Sequence, residues 1–184
     1  NVPIEGVTKD MRRMAKAVNF GILYGISGFG LSENLNINPK EATKFINEYY
    51  KTYPGIKKYQ DDCIVEAHEK GYVKTMFNRI RTIKELENKN YMIKSSAERM
   101  ALNTPIQGTA ADIIKIAMIK LFDEFNKNHL KSKILLQVHD ELVVEVKKAE
   151  LEIVKKLIKE AMGLDQPLLV PLEIDINTGD SWKE

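Results

Sequence analysis

The chain has 184 residues, room for one domain or one and a part. Hydrophobic residues make up 43% and charged residues 29%, which excludes a disordered chain, and no apolar run approaches the roughly 18 residues that span a bilayer. Net charge is only +2, but it is unevenly placed: the first 139 residues hold 22 bases against 15 acids, and the remainder 11 acids against 6 bases. Such a division fits a phosphate-binding surface beside a carboxylate site, and equally a set of solvated lysine-rich helices. Cys63 is the sole cysteine, so no intrachain disulfide can form, and a reducing intracellular setting is expected. The opening NVPIEG has no methionine and no signal-peptide pattern, and is expected to be the middle of a longer polypeptide.

In chain order, Thr8 is placed to cap a helix running to about Tyr24, which ISGFG, with Gly25, Gly28 and Gly30, should break. A short helical piece is expected over Leu31–Leu35. Asn38-Pro39 predicts a helix through about Thr52, and Pro54-Gly55 another through about Lys70, closed by Gly71. YVKTMFNRIRTIKEL alternates with period two and predicts two short strands. Tyr91 to His129 is helical in pattern, and Pro105, lacking an N–H, should kink or split it. KILLQVHDELVVEV predicts a tight hairpin around His139-Asp140-Glu141 with buried flanking strands. Residues 148–162 form an amphipathic helix, and VPLEIDIN predicts a final strand. Helices first and strands late make the class α+β.

Within RRMAKAVNFGILYG, Arg12, Lys16, Phe20 and Tyr24 recur at four-residue steps. Such residues share one helical face, so this stripe begins cationic and ends aromatic. Cations at one end and rings at the other suit a ligand with phosphates and a flat stacking body, as in a nucleotide. A solvated Arg/Lys edge beside an ordinary aromatic core contact fits the spacing equally well. In the hairpin, Asp140 and Glu141 are adjacent carboxylates with no cationic neighbour in sequence. Hard oxygen ligands at a sheet rim suit Mg²⁺, and aspartate is also a common turn residue. A metal phosphohydrolase of the HD type would need further His and Asp ligands on helices. Only His68 and His129 remain, without a partner pattern.

Taken together, these segments are similar to family A DNA polymerases. RRMAKAVNFGILYG resembles that family's nucleotide-binding fingers helix at Arg12, Lys16, Phe20, Gly21, Tyr24 and Gly25. QVHDELVVEV resembles the family's palm hairpin, ERMALNTPIQGTAADIIK its long palm helix, and VPLEIDINTGDSWKE its C-terminal strand and tail. The resemblance implies a helical fingers subdomain (1–72) and part of an antiparallel-sheet palm (73–184) of a right-hand polymerase fold. It implies template-directed addition of deoxynucleotides to a primer 3′-hydroxyl by two-metal phosphoryl transfer, with two Mg²⁺ ions in the complete site. Arg12 and Lys16 would hold the triphosphate, with Lys16 also acting on the pyrophosphate leaving group. Phe20 would pack on sugar and base, and as phenylalanine rather than tyrosine would discriminate against dideoxynucleotides. Tyr24 would guard the nascent-pair pocket, and Gly25 would permit close approach. Arg99, Asn103 and Gln107 would touch the minor groove, where contacts test pair shape without reading sequence. His139 would touch the primer terminus, Asp140 would bind the catalytic metals and Glu141 would support it.

The expected partners are primer-template DNA, deoxynucleoside triphosphates and the remainder of the parent polymerase, with no membrane. The expected place is the bacterial cytoplasm, at the nucleoid. The family's second metal-binding aspartate and ribose-gating glutamate belong to a segment before the fingers helix, so the 184 residues alone are expected to be inactive. FNRIRTIKELENKN departs from the family's arginine-rich loop. Lys74, Arg79, Arg81 and Lys84 either meet template phosphates or are solvated. The alternative of another class is a non-catalytic DNA-binding module or a degenerate polymerase relative.

Overall fold

The computed structural model describes residues 2–163 and 168–182. The chain divides into two compact units, 1–106 and 107–184.

The first unit opens with a 3₁₀ turn and α1 (Lys9–Leu23), capped as expected when the Thr8 hydroxyl accepts the Met11 N–H at 3.2 Å. α2 (Gly28–Leu35) starts three residues earlier than the expected piece, so Gly28 and Gly30 lie inside a helix and not in the break. Ser27 explains this: its hydroxyl accepts the Gly30 N–H at 3.1 Å, a cap that outweighs glycine's poor propensity. Gly28 is also the residue that fits there, because a Cβ would lie 2.2 Å from Thr43 Oγ1. α3 (Pro39–Thr52) and α4 (Pro54–Lys70) follow the proline signals, with Asn38 capping α3 through the Lys40 N–H. Val18 and Ile22 of α1 pack with Leu31, Ala42 and Ile46 of α2 and α3.

β1 (Tyr72–Lys74) and β2 (Ile80–Thr82) form an antiparallel pair. Val73, Ile83 and Leu86 then share a core with Cys63 and Ala67 of α4 and with Ala97, Ala101 and Leu102 of α5. The expected division at 72/73 therefore runs through one hydrophobic cluster.

Of the kink or split expected at Pro105, the split does not occur: α5 (Tyr91–Lys127) continues through the proline. Proline removes the bond to the carbonyl four residues back, that of Ala101. The Cys63 thiol supplies a donor to that buried carbonyl at 3.5 Å. The orphaned acceptor is thus satisfied from α4, and the helix continues.

In the second unit, Leu121 and Phe125 of α5 pack against Val154, Leu157 and Ala161 of α6 (Leu151–Met162). β3 (Lys133–Val138) and β4 (Glu141–Glu145) form the hairpin, with a bulge at Leu135 between the Ile134–Val144 and Leu136–Val143 pairs. The strands are half-exposed, not buried as expected, because among the described residues the sheet has only these two strands. Residues 171–179 carry no regular structure, so the expected final strand over VPLEIDIN is absent. A strand needs a ladder partner, and none of the described strands pairs with it.

Candidate functional site

On α1 the four-residue spacing builds a continuous ridge. Lys16 Nζ lies 5.9 Å from the Phe20 ring centroid, and the Phe20 and Tyr24 rings stack with centroids 6.1 Å apart and planes 23° from parallel. Phe20 is 43% exposed, so this is not a core aromatic. Arg12 and Lys16 are exposed and form no ion pair among the described residues, whereas the neighbouring Arg13 is held by Asp10 at 3.2 Å. The helix therefore presents two unneutralised cations that lead to an exposed Phe20 ring stacked on the half-buried Tyr24. A phosphorylated aromatic ligand matches both ends.

The aromatic end of the ridge is held in place by the helix terminus. Gly25 N–H bonds to Ile22 O at 3.0 Å and Ile26 N–H to Gly21 O at 2.8 Å, the paired bonds of a Schellman ending. Gly25 has φ +77°, and a Cβ there would stand 2.8 Å from Leu102 Cδ1 and 3.7 Å from Arg99 Cγ. The structure thus brings the Tyr24-Gly25 corner against the α5 turn that carries Arg99. Arg99 is exposed, its guanidinium donating to Ser95 Oγ at 3.2 Å. Asn103, one turn on, is half-buried, and its Oδ1 has no hydrogen-bond partner. Gln107 is exposed on α5 in the second unit. Of the loop cations, Arg81 donates to Thr104 Oγ1 at 3.2 Å, and Lys74 lies 5.7 Å from the Tyr72 ring.

In the second unit the hairpin turns on two residues, His139 and Asp140, between the paired Val138 and Glu141. Glu141 is therefore the first residue of β4 rather than part of the turn. His139 takes φ +53°, a left-handed conformation that costs a non-glycine residue energy and is found disproportionately at working sites. The Gln137 amide donates to His139 O at 2.9 Å and steadies the turn. His139, Asp140 and Glu141 are all exposed, and neither carboxylate forms an ion pair among the described residues. Two adjacent, unneutralised carboxylates are the oxygen donors that Mg²⁺ takes, and they leave coordination places for water and phosphate. No group of three or more metal-ligating side chains occurs among the described residues, so Asp140 and Glu141 alone are an incomplete cage.

Sequence reading missed the residues that hold these surfaces. Gln60, 4% exposed, donates to the carbonyls of Ile22 and Leu23 and accepts from Tyr50. Its signal was a glutamine on the same α4 stripe as Cys63 and Ala67, a polar residue in an apolar face. Glu150 takes the Lys131 and Ser132 N–H groups and the Ser132 hydroxyl at the base of the hairpin, which no local spacing foretells. These bonds, the hydroxyl's first, hold its carboxyl below the ordinary glutamate range.

Comparison with known proteins follows the same lines. Across residues 1–184 the chain matches the DNA polymerase family A. It is 52% identical over 182 residues to DNA polymerase I of Bacillus subtilis (strain 168), covering 99% of this chain and 21% of that protein. With DNA polymerase I of Bacillus caldotenax it shares 50% identity over 176 residues, or 96% of this chain and 20% of the relative. Among solved structures it is similar to the POL domain of Pol1 from M. smegmatis in complex with DNA primer-template and dNTP. The TM-score is 0.94 at 43% identity, over 99% of this chain and 32% of that one. The chain spans about a fifth of the length of these curated relatives. No helix among the described residues is long and apolar enough to cross a membrane. Matched over its whole length and about half identical to the curated relatives, the chain belongs to DNA polymerase family A.

Proposed function

We propose that this chain supplies the nucleotide-gripping helix and the metal-holding hairpin of a DNA-directed DNA polymerase. The observation that carries the reading is the Lys16–Phe20–Tyr24 ridge: a cation without an ion pair, then an exposed phenylalanine ring stacked on a half-buried tyrosine. Arg12 and Lys16 hold the triphosphate. Lys16 also neutralises the pyrophosphate as it leaves and is placed to give it a proton. Phe20 packs on sugar and base, Tyr24 closes the pocket for the nascent pair, and Gly25 lets the chain pass close to it. Arg99, Asn103 and Gln107 read minor-groove shape by donating to the acceptors that all correct pairs place there, and His139 touches the primer end. Asp140 and Glu141 would hold divalent ions with the substrate phosphates, and bound Mg²⁺ would acidify the primer 3′-hydroxyl and offset charge on the triphosphate. By role, 1–72 are fingers and 73–184 part of the palm. The partners are primer-template DNA, deoxynucleoside triphosphates and the rest of a longer polymerase, working at the bacterial nucleoid.

Primer extension with Mg²⁺ and all four deoxynucleotides tests the reading on the isolated chain and on the full-length protein that carries it. The full-length protein is expected to extend and the isolated chain not to, since two carboxylates do not complete a two-metal site. Lys16→Ala should lower kcat/KM about 10²–10³-fold, and Asp140→Ala should abolish extension. Full-length protein that binds DNA without extending it would establish a non-catalytic binding module instead. Robust extension by the isolated chain would overturn the expected inactivity.

A further inference from the structure

The last turn of α1 ends on carbonyls with no partner inside the helix. Two of them, those of Ile22 and Leu23, are met from α4 by one side chain: Gln60 Nε2 donates to them at 2.7 and 2.9 Å. Carbonyls only accept, so the amide must present its NH₂ group to them and its oxygen outward. That oxygen accepts the Tyr50 hydroxyl at 2.7 Å. Burial raises the Tyr50 phenol above its ordinary value, so it remains a donor at neutral pH. Gln60 is thereby fully occupied in a site with 4% exposure, tying α3 and α4 to the end of α1.

The residues directly beyond that end are Tyr24 and Gly25. The cationic end of the ridge, at Arg12 and Lys16, lies two to three turns away and is untouched by the amide. The structure assigns to Gln60, braced by Tyr50, the role of a positioning residue for Tyr24 that sets how strictly a mispaired nucleotide is rejected. This rests on the polymerase reading above. Without the amide, the half-buried Leu23 carbonyl loses its side-chain donor and the Ile22 carbonyl is left with the Gly25 N–H, so the last turn loosens and Tyr24 samples more orientations. The triphosphate grip is retained. The effect therefore falls on discrimination and on kcat, not on KM for the correct nucleotide.

The test uses the full-length polymerase carrying this segment, well below its unfolding temperature. Gln60→Met keeps the shape and removes both donors; Tyr50→Phe removes only the brace. Two readouts are taken: single-nucleotide misinsertion relative to correct insertion, and hydrogen exchange of the peptide covering residues 20–26. Gln60→Met is expected to raise misinsertion about tenfold and to speed exchange at residues 24–26, with KM for the correct nucleotide within about twofold. Tyr50→Phe should give a smaller change in the same direction. Faster exchange with unchanged discrimination would make Gln60 a structural residue only and overturn the proposal, as would unchanged exchange. If Gln60→Met does not fold, Tyr50→Phe decides by the same two readouts. Failure of the wild-type protein to extend primers would reject the polymerase reading itself, an outcome separate from any variant's behaviour.

Discussion

Gly25 stands against Leu102 with no room for a side chain: a Cβ would approach Leu102 Cδ1 to 2.8 Å, from a backbone already at φ +77°. Leu102 is a buried member of the core that joins α4, β1 and α5, so it cannot swing aside freely. Two separate costs add at one position: the left-handed conformation and the overpacking. Gly25→Ala should therefore lower stability by about 2–4 kcal/mol, and Gly25→Val by more. Urea unfolding midpoints check this. A loss below about 0.5 kcal/mol would mean that the corner relaxes without disturbing Leu102.

Cys63 gives a second prediction. Its thiol, 9% exposed, replaces the donor that Pro105 denies to the Ala101 carbonyl. Cys63→Ser retains a donor, while Cys63→Ala leaves the carbonyl unmet beside a small cavity. The alanine variant should be about 1–3 kcal/mol less stable than the serine variant. Helix content near Pro105, followed by hydrogen exchange, should fall in the alanine variant alone. Equal stability of the two would show that the thiol contributes packing and not a hydrogen bond.

That pair also marks where sequence reading stopped. Helix starts were legible because caps are local: Thr8, Asn38 and Pro54 act within a few residues of themselves. The ridge was legible because a four-residue period is a property of one helix. The continuity of α5 was not, since the donor that rescues the Ala101 carbonyl sits 38 positions away. Gln60 was hidden for the same reason: what it holds lies 37 and 38 residues back. VPLEIDIN failed differently. Its alternation is real, but a strand exists only with a partner, and alternation carries no information about one.

The base of the hairpin gives a pH dependence with a definite sign. Glu150 accepts the Ser132 hydroxyl at 2.6 Å and the N–H groups of Lys131 and Ser132 near 3 Å, and its folded value lies below the ordinary 4.5. Folding thus favours the carboxylate. Its stabilisation is present in full above the unfolded value and is lost as pH falls through the folded one. Glu150→Gln should therefore be less stable than wild type at pH 7, and the gap between their melting temperatures should close as pH drops below about 4.5. A gap that stays constant down to pH 3 would show that the carboxylate's charge plays no part.

His139 separates stability from activity. At φ +53° the position suits glycine on backbone grounds, so His139→Gly relieves left-handed strain. Against that, glycine gains entropy in the unfolded chain, a cost of about 0.5–1 kcal/mol that offsets the relief. Net stability should then move by no more than about 1 kcal/mol in either direction. The Gln137 bond to the residue-139 carbonyl survives, because it engages the backbone. The imidazole itself is lost, and with it the proposed touch on the primer terminus. Primer extension by the full-length protein should fall at least about tenfold, while the unfolding midpoint barely shifts. Unchanged extension would mean that the histidine is a turn residue without a part in holding the primer. A large stability loss would instead make the imidazole a structural anchor of the hairpin.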